Sequence, residues 1–270
     1  MSNLIQFNQT ITNPKTAEYL AKVLGEKKAS FVNNLTALVA NSKNLQECEP
    51  VSLMYAGIKA TALDLPLDAN LGFAYVIPYK NTKEKRTDAQ FQIGYKGFIQ
   101  LAMRSGQFKT INVREVRDGE IVKENFVSGE IEFKRLDENR EEAKVIGYVA
   151  FFSLINGFEK MSYWSIAEIE KHGKRFSQTF KNGFGLWKDD FDSMARKTVL
   201  KLLLSKYAPM SVEMKAGLKD DQIVVTPQGE EIYLDNVQVV EAQEIQEAQN
   251  EKVAAMFGQA FENENQQTEN

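Results

Sequence analysis

Apolar residues recur along the first quarter of the chain with the spacing of helices. From Pro14 to Leu24 the residues Ala17, Leu20, Ala21 and Leu24 share one face, and from Ser30 to Ala40 so do Phe31, Leu35, Leu38 and Val39. A third helix is expected over Ser52–Leu63, where Ala56, Gly57, Ala60 and Ala62 permit close packing. It must end before Pro66, because a proline ring and its missing amide hydrogen break a helix. At Phe73 the period falls to two. Phe73, Tyr75, Ile77 and Tyr79 lie on one side of a strand that carries Pro78 at an edge or rim, and Phe91, Ile93 and Tyr95 alternate with Gln92 and Gly94 in a second strand. The polar segment Lys80–Asp88 between them reads as the tip of a β-hairpin.

From Lys96 the helical period returns, with Phe98, Leu101 and Ala102 toward a core. Lys96, Gln100 and Arg104, spaced i, i+4, i+8, form a row on the other side. Gly94 and Gly97 flank the strand-to-helix junction, where a missing Cβ permits a tight turn or the close approach of a ligand backbone. The row suits a phosphate chain, although a solvated amphipathic helix shows the same pattern.

Further strands are expected over Thr110–Val116, Ile131–Lys134, Val145–Leu154 and Phe158–Trp164, with a charged turn at Asp137–Glu142 and a two-residue hairpin signal at Asn156-Gly157. Strands that follow one another without intervening helices give an antiparallel sheet and an α+β fold. Ser165 and Glu168 form a capping box that starts another helix. After Trp187 a helix places Trp187, Phe191, Met194, Ala195, Thr198 and Leu202 on a core face and Lys197 and Lys201 at i, i+4 on its flank, with Arg196 beside them and Lys206 beyond. Short strands are expected at Ile223–Val225 and Ile232–Leu234, and an amphipathic helix over Val240–Phe257. The last nine residues, Glu262–Asn270, are polar enough to stay disordered.

Charge changes this picture. The chain of 270 residues has a formal charge of −4, yet the first 219 residues carry net +7 and the stretch from Asp220 onward holds twelve acidic residues against Lys252 alone. A basic body points to a polyanionic partner; an acidic tail can solvate, dock a protein or compete for the basic surface. Cation density peaks twice. Nine basic residues face three acidic ones between Lys80 and Arg117, and the same ratio recurs between Lys171 and Lys206, where Lys174, Arg175, Phe176, Phe180 and Lys181 interleave cations with aromatics. Cations of this kind hold phosphates while aromatics stack on unpaired bases.

Several chemistries find no support. Cys48 and His172 stand alone, which leaves no disulfide and no Cys/His metal site. No phosphate-binding loop for a nucleotide occurs, and a lone His172, expected on a helix surface, makes a poor catalytic base. No cofactor is expected. Asp189, Asp190 and Asp192 admit a metal-dependent nuclease as an alternative, but they suit the first turn of the following helix equally well. A non-DNA structural or scaffold protein with basic rows against acidic neighbours is the other alternative. No run of eighteen apolar residues and no secretory leader is visible, so a cytoplasmic protein is expected.

The runs Ala62-Leu63-Asp64-Leu65-Pro66-Leu67, Leu71-Gly72-Phe73-Ala74-Tyr75-Val76-Ile77-Pro78-Tyr79, Ile93-Gly94-Tyr95-Lys96-Gly97 and Leu101-Ala102-Met103-Arg104-Ser105-Gly106 resemble the RecT family of phage single-strand annealing recombinases. Trp187, Met194-Ala195-Arg196-Lys197-Thr198, Lys201 and Pro209 are similar to its second motif, so the resemblance spans about Ser52–Val212. Asp64-Leu65-Pro66 departs where that family usually has a glycine, and Lys96 stands where arginine is common. The resemblance implies an ATP-independent protein that binds single-stranded DNA, assembles into rings or helical filaments and pairs complementary strands. It also implies an annealing core of sheet and helices forming a basic groove, with a C-terminal region that meets a phage exonuclease or the host single-strand-binding protein.

The expected organisation is therefore a helical oligomerisation region at 1–50, a DNA-binding core at 51–219 and an acidic partner-binding tail at 220–270. The expected DNA contacts are Lys80, Lys83, Lys85 and Arg86 of the hairpin; Tyr95, Lys96, Gln100 and Arg104; Lys174, Arg175, Phe176 and Lys181; and Arg196, Lys197, Lys201 and Lys206. Contacts of this kind are sequence-neutral, as annealing requires, because the complementary strand supplies the base reading.

Overall fold

The computed structural model describes residues 3–81, 84–125, 127–181, 183 and 185–233. Five helices open the chain: α1 (Asn3–Thr12), α2 (Pro14–Leu24), α3 (Lys28–Ala40), α4 (Lys43–Gln46) and α5 (Pro50–Ala62). Local chemistry sets their ends. Asn13 accepts the Lys15 amide at 3.0 Å with Pro14 as the first helical residue, and Glu49 accepts the Ser52 amide at 2.8 Å before Pro50. Gly57 lets α3 lie on α5, since a Cβ there would sit 2.8 Å from the Phe31 ring. Helix α1, which the sequence pattern does not single out, buries Phe7 and Ile11 against this group. The N-terminal helices thus belong to the same core as the residues that follow them.

Next come β1 (Ala74–Asn81), β2 (Arg86–Ile93), α6 (Tyr95–Arg104), β3 (Phe108–Arg117), β4 (Ile121–Asn125), β5 (Glu130–Phe133), β6 (Val145–Leu154) and β7 (Glu159–Ser165). The chain continues through α7 (Ile166–Phe176), α8 (Gln178–Lys181), α9 (Leu186–Asp189), α10 (Phe191–Tyr207), α11 (Val212–Asp220), β8 (Ile223–Val225) and β9 (Glu231–Tyr233). The strands form one four-stranded sheet in the order β1-β2-β8-β9, one three-stranded sheet in the order β3-β6-β7, and a β4-β5 ribbon. Every pairing between these strands is antiparallel, and the fold is α+β as expected.

Helix α10 is the centre of the molecule. Its Ala195, Val199, Leu200 and Leu204 are fully buried, and it touches β6 and β7 of one sheet as well as α6 beside the other. Helix α5 covers one face of β2, where Ala89, Phe91 and Ile93 are buried.

Two expectations about segments change. The hairpin expected at Lys80–Asp88 is present, but its tip is shorter, because β1 runs to Asn81 and β2 starts at Arg86, with Asn81 paired to Arg86. The sheet also runs through the expected 219/220 boundary. Asp221 is wholly buried, and β8 joins β2 through Phe91–Ile223 and Gln90–Val224 pairs. The start of the acidic stretch is therefore core. The helix expected over Val240–Phe257, Leu234 and the polar end lie outside the described residues.

Candidate nucleic-acid interface

Strand β2 delivers α6 through Gly94, which caps the helix in extended conformation and donates its amide to Phe73 O at 2.9 Å. A Cβ on Gly94 would strike Gly72 O, and one on Gly97 would strike Phe73 O. The glycines therefore admit the chain's own backbone at the start of β1, which takes the place expected for a ligand. Lys96 and Gln100 are exposed on α6, with Tyr95 half-buried. Arg104 ends the row differently. Its guanidinium donates to Leu63 O and, at 2.7 Å, to Asp64 O, the carbonyls that follow α5. It closes the C-terminal end of that helix, so its head is committed to backbone rather than offered to phosphate.

Helix α10 corrects the reading of its cations. Lys197 and Lys201 are 4% and 7% exposed, and their ammonium groups donate to Asp221 Oδ1 at 2.8 Å and Oδ2 at 2.7 Å. Asp221 Oδ1 also accepts the Ile93 amide at 2.9 Å, tying α10 to β2. Burial would raise the Asp221 carboxyl, but the two lysines hold it below the usual range. Arg196 points elsewhere. It pairs with Asp192 at 2.7 Å, with Glu115 and with Val113 O of β3. Arg140 joins this network through Glu115 at 2.8 Å and Glu120 at 2.6 Å. Against the opposing effect of burial, Arg140, backbone bonding and Arg196 lower the Glu115 carboxyl to about 2. One basic groove lined by the Lys80–Arg86 hairpin, the Lys96/Gln100/Arg104 row and the Lys197/Lys201 pair is expected; in its place Lys96 stands exposed, Arg104 clamps a helix end, and Lys197 and Lys201 are buried on Asp221.

A cleft opens between α7 and α10. It holds a cavity of about 40 Å³ walled by His172 and Phe176 of α7, Trp187 of α9, and Met194, Lys197 and Lys201 of α10. His172 is drawn inward rather than exposed, with its ring 5.5 Å from Trp164 and 4.8 Å from Phe176. Burial, then Lys201 and Arg175, push its pKa down to about 4. Phe180 packs on Gly173 and lies 5.1 Å from Trp187, which makes it a wall of the core. Exposed cations lie on or next to the elements that wall it: Lys174 and Arg175 on α7, Lys181 on α8 and Lys206 at the end of α10. The Arg175 guanidinium lies 4.6 Å from the Phe176 ring centroid, so cation and aromatic form one surface.

At the far hairpin Lys80 and Lys85 are exposed, whereas Arg86 pairs at 2.8 Å with the buried Asp88. These residues line a separate depression with Glu47 and Glu49, so they do not extend the α7–α10 cleft. Lys83 lies outside the described residues. Two of the three aspartates around the start of α10 have structural duties: Asp190 accepts the Ser193 amide at 3.1 Å as the cap, and Asp192 binds Arg196, while Asp189 ends α9. Among the described residues no group of three or more His, Cys, Asp or Glu is placed to hold a metal ion. No described helix is long and apolar enough to cross a membrane.

The RecT-family model matches this chain over residues 29–236. The chain belongs to the RecT family. It is 45% identical over 213 residues to the uncharacterized protein YqaK of Bacillus subtilis, covering 78% of this chain and 71% of that protein. It is 30% identical over 225 residues to protein RecT of Escherichia coli, covering 82% and 81%. Both RecT-like motifs now have positions: the first builds the β1–α6 crossing and the α5 clamp, the second builds α10. Asp64, where the family pattern usually has glycine, adopts a left-handed φ of 51° and pairs with Lys27 at 3.2 Å. The residues missed by pattern reading, Asp221, Glu115, Glu120 and Arg140, carry no spacing signal because their partners are distant in sequence.

Proposed function

We propose that this RecT-family chain binds single-stranded DNA and pairs complementary strands in recombination without consuming a nucleotide. The family match over residues 29–236 carries this reading. The physics that supports it is the exposed set Lys96, Lys174, Arg175, Lys181 and Lys206, with Gln100 as a neutral partner on α6. Phosphate contacts by such side chains lower the repulsion between strands and leave the bases free to choose their complement. Lys80 and Lys85 form an auxiliary cationic end on the hairpin. Assembly of several copies through the N-terminal helices, and docking of an exonuclease or a single-strand-binding protein on the acidic C-terminal stretch, belong to the same proposal.

The test mixes two complementary oligonucleotides, one carrying a fluorophore and the other a quencher, with the full chain and no ATP. Faster quenching than in protein-free buffer supports the proposal, and an unchanged rate refutes it. End-labelled DNA incubated with magnesium must keep its length; shortening would favour a nuclease.

A further inference from the structure

The cavity between α7 and α10 has a feature that surface cations lack. Lys201 is more than nine-tenths buried, and an ammonium group has three donors. Among the described residues its single hydrogen-bond partner is Asp221 Oδ2, so two donors remain on a side chain that lines the cavity. The ammonium also lies 5.9 Å from the Phe98 ring centroid, and an acceptor in the cavity would take a donor that these two contacts leave. Lys197 stands beside it on the same carboxylate, so two ammonium groups face this part of the cavity. The remaining titratable wall, His172, is neutral near pH 7, so it does not compete with the lysines as a cation. Met194, Phe176 and Trp187 keep the surroundings apolar, where an ammonium attracts an anion more strongly than in water.

We infer that this cavity is an oxyanion subsite that takes the non-bridging oxygens of one phosphodiester of the bound strand, with Lys201 as the principal donor. Size selects the ligand class. A volume of about 40 Å³ corresponds to roughly three water positions, enough for a phosphate's oxygens and too little for a nucleobase. The sugar and base would stay outside, beside Phe176 and the Arg175 guanidinium. The subsite rests on the single-strand reading above and adds a buried anchor to an otherwise superficial set of contacts.

Two variants of the full chain test it. Lys201→Met removes the donors, and Ser205→Leu, at a residue that lines the cavity, narrows it while both lysines are kept. Urea unfolding confirms that each is folded. Binding to an oligothymidylate is measured from low to moderate salt, and inorganic phosphate is titrated separately at fixed ionic strength with tryptophan emission as the readout. Both variants are expected to lose about tenfold or more in oligonucleotide affinity. Lys201→Met should also flatten the logarithmic salt slope by about one phosphate contact. Wild-type affinity and slope in both variants would leave only water in the cavity and overturn the inference. A response to inorganic phosphate without any loss of oligonucleotide affinity would also overturn it, in favour of a free anion. A wild-type chain that binds no oligonucleotide would instead refute the reading on which the subsite rests.

Discussion

Lys201 Nζ donates to Asp221 Oδ2 at 2.7 Å with both side chains buried, and this contact fastens the central helix α10 to the segment that enters β8. Lys197 shares the same carboxylate, so removing Asp221 takes an ion-pair partner from two buried ammonium groups at once. Asp221→Leu is expected to cost about 3–5 kcal/mol, read as a lower urea midpoint. The triple change Lys197→Met, Lys201→Met, Asp221→Leu should recover most of that loss. A loss below about 1 kcal/mol in the single variant would contradict the pairing.

Arg104 and Lys96 share a helix face but are expected to separate cleanly. Arg104→Ala frees the carbonyls of Leu63 and Asp64 and should cost about 1–3 kcal/mol of stability, with little change in the salt slope of DNA binding. Lys96→Ala should leave the urea midpoint within about 0.5 kcal/mol and weaken binding to every sequence alike. The reverse pattern would return Arg104 to the interface.

The pH dependence of stability follows from His172. Its folded-state pKa of about 4 lies below the ordinary 6.5, so between those values the unfolded chain binds a proton that the folded chain refuses. Stability is therefore highest above pH 6.5 and falls as the pH drops toward 4, by at most ~3 kcal/mol from this group. His172→Phe should flatten the difference between urea midpoints at pH 7 and pH 5. An equally steep dependence in the variant would assign the effect elsewhere.

Gly97 tests the crossing at the start of β1. A methyl group there meets Phe73 O and the Ile93 side chain, and the carbonyl belongs to backbone that cannot swing aside. Gly97→Ala is expected to lose roughly 1–3 kcal/mol despite the higher helix propensity of alanine. A gain in thermal midpoint would contradict the close approach.

Much of the architecture is legible in the hydrophobic pattern. Helices α2, α3 and α5, the β2-to-α6 junction and the Ser165–Glu168 capping box all follow from local periodicity and cap chemistry. Strand β4 escapes because Val122, Lys123, Glu124 and Asn125 are all exposed and present no alternation. The site is less legible for a different reason. Charged side chains are seldom buried unless paired, so Lys197 and Lys201 read as surface residues until a partner is known. That partner, Asp221, lies twenty residues beyond Lys201 at the head of a stretch whose composition suggests a solvated tail. Arg104 is opaque in the same way, since its acceptors are backbone carbonyls forty residues upstream.

Salt dependence of binding tests the central claim most directly. In the proposed function, exposed cations grip the sugar-phosphate strand without reading its sequence. Equilibrium binding of the full chain to an oligothymidylate and to a mixed-sequence strand of equal length, measured across a range of salt, should give the same steep negative slope for both. Replacing Lys96, Lys174 and Lys181 together with alanine should flatten that slope by roughly two units. A slope near zero, or one that differs between the two strands and survives the triple replacement, would contradict it.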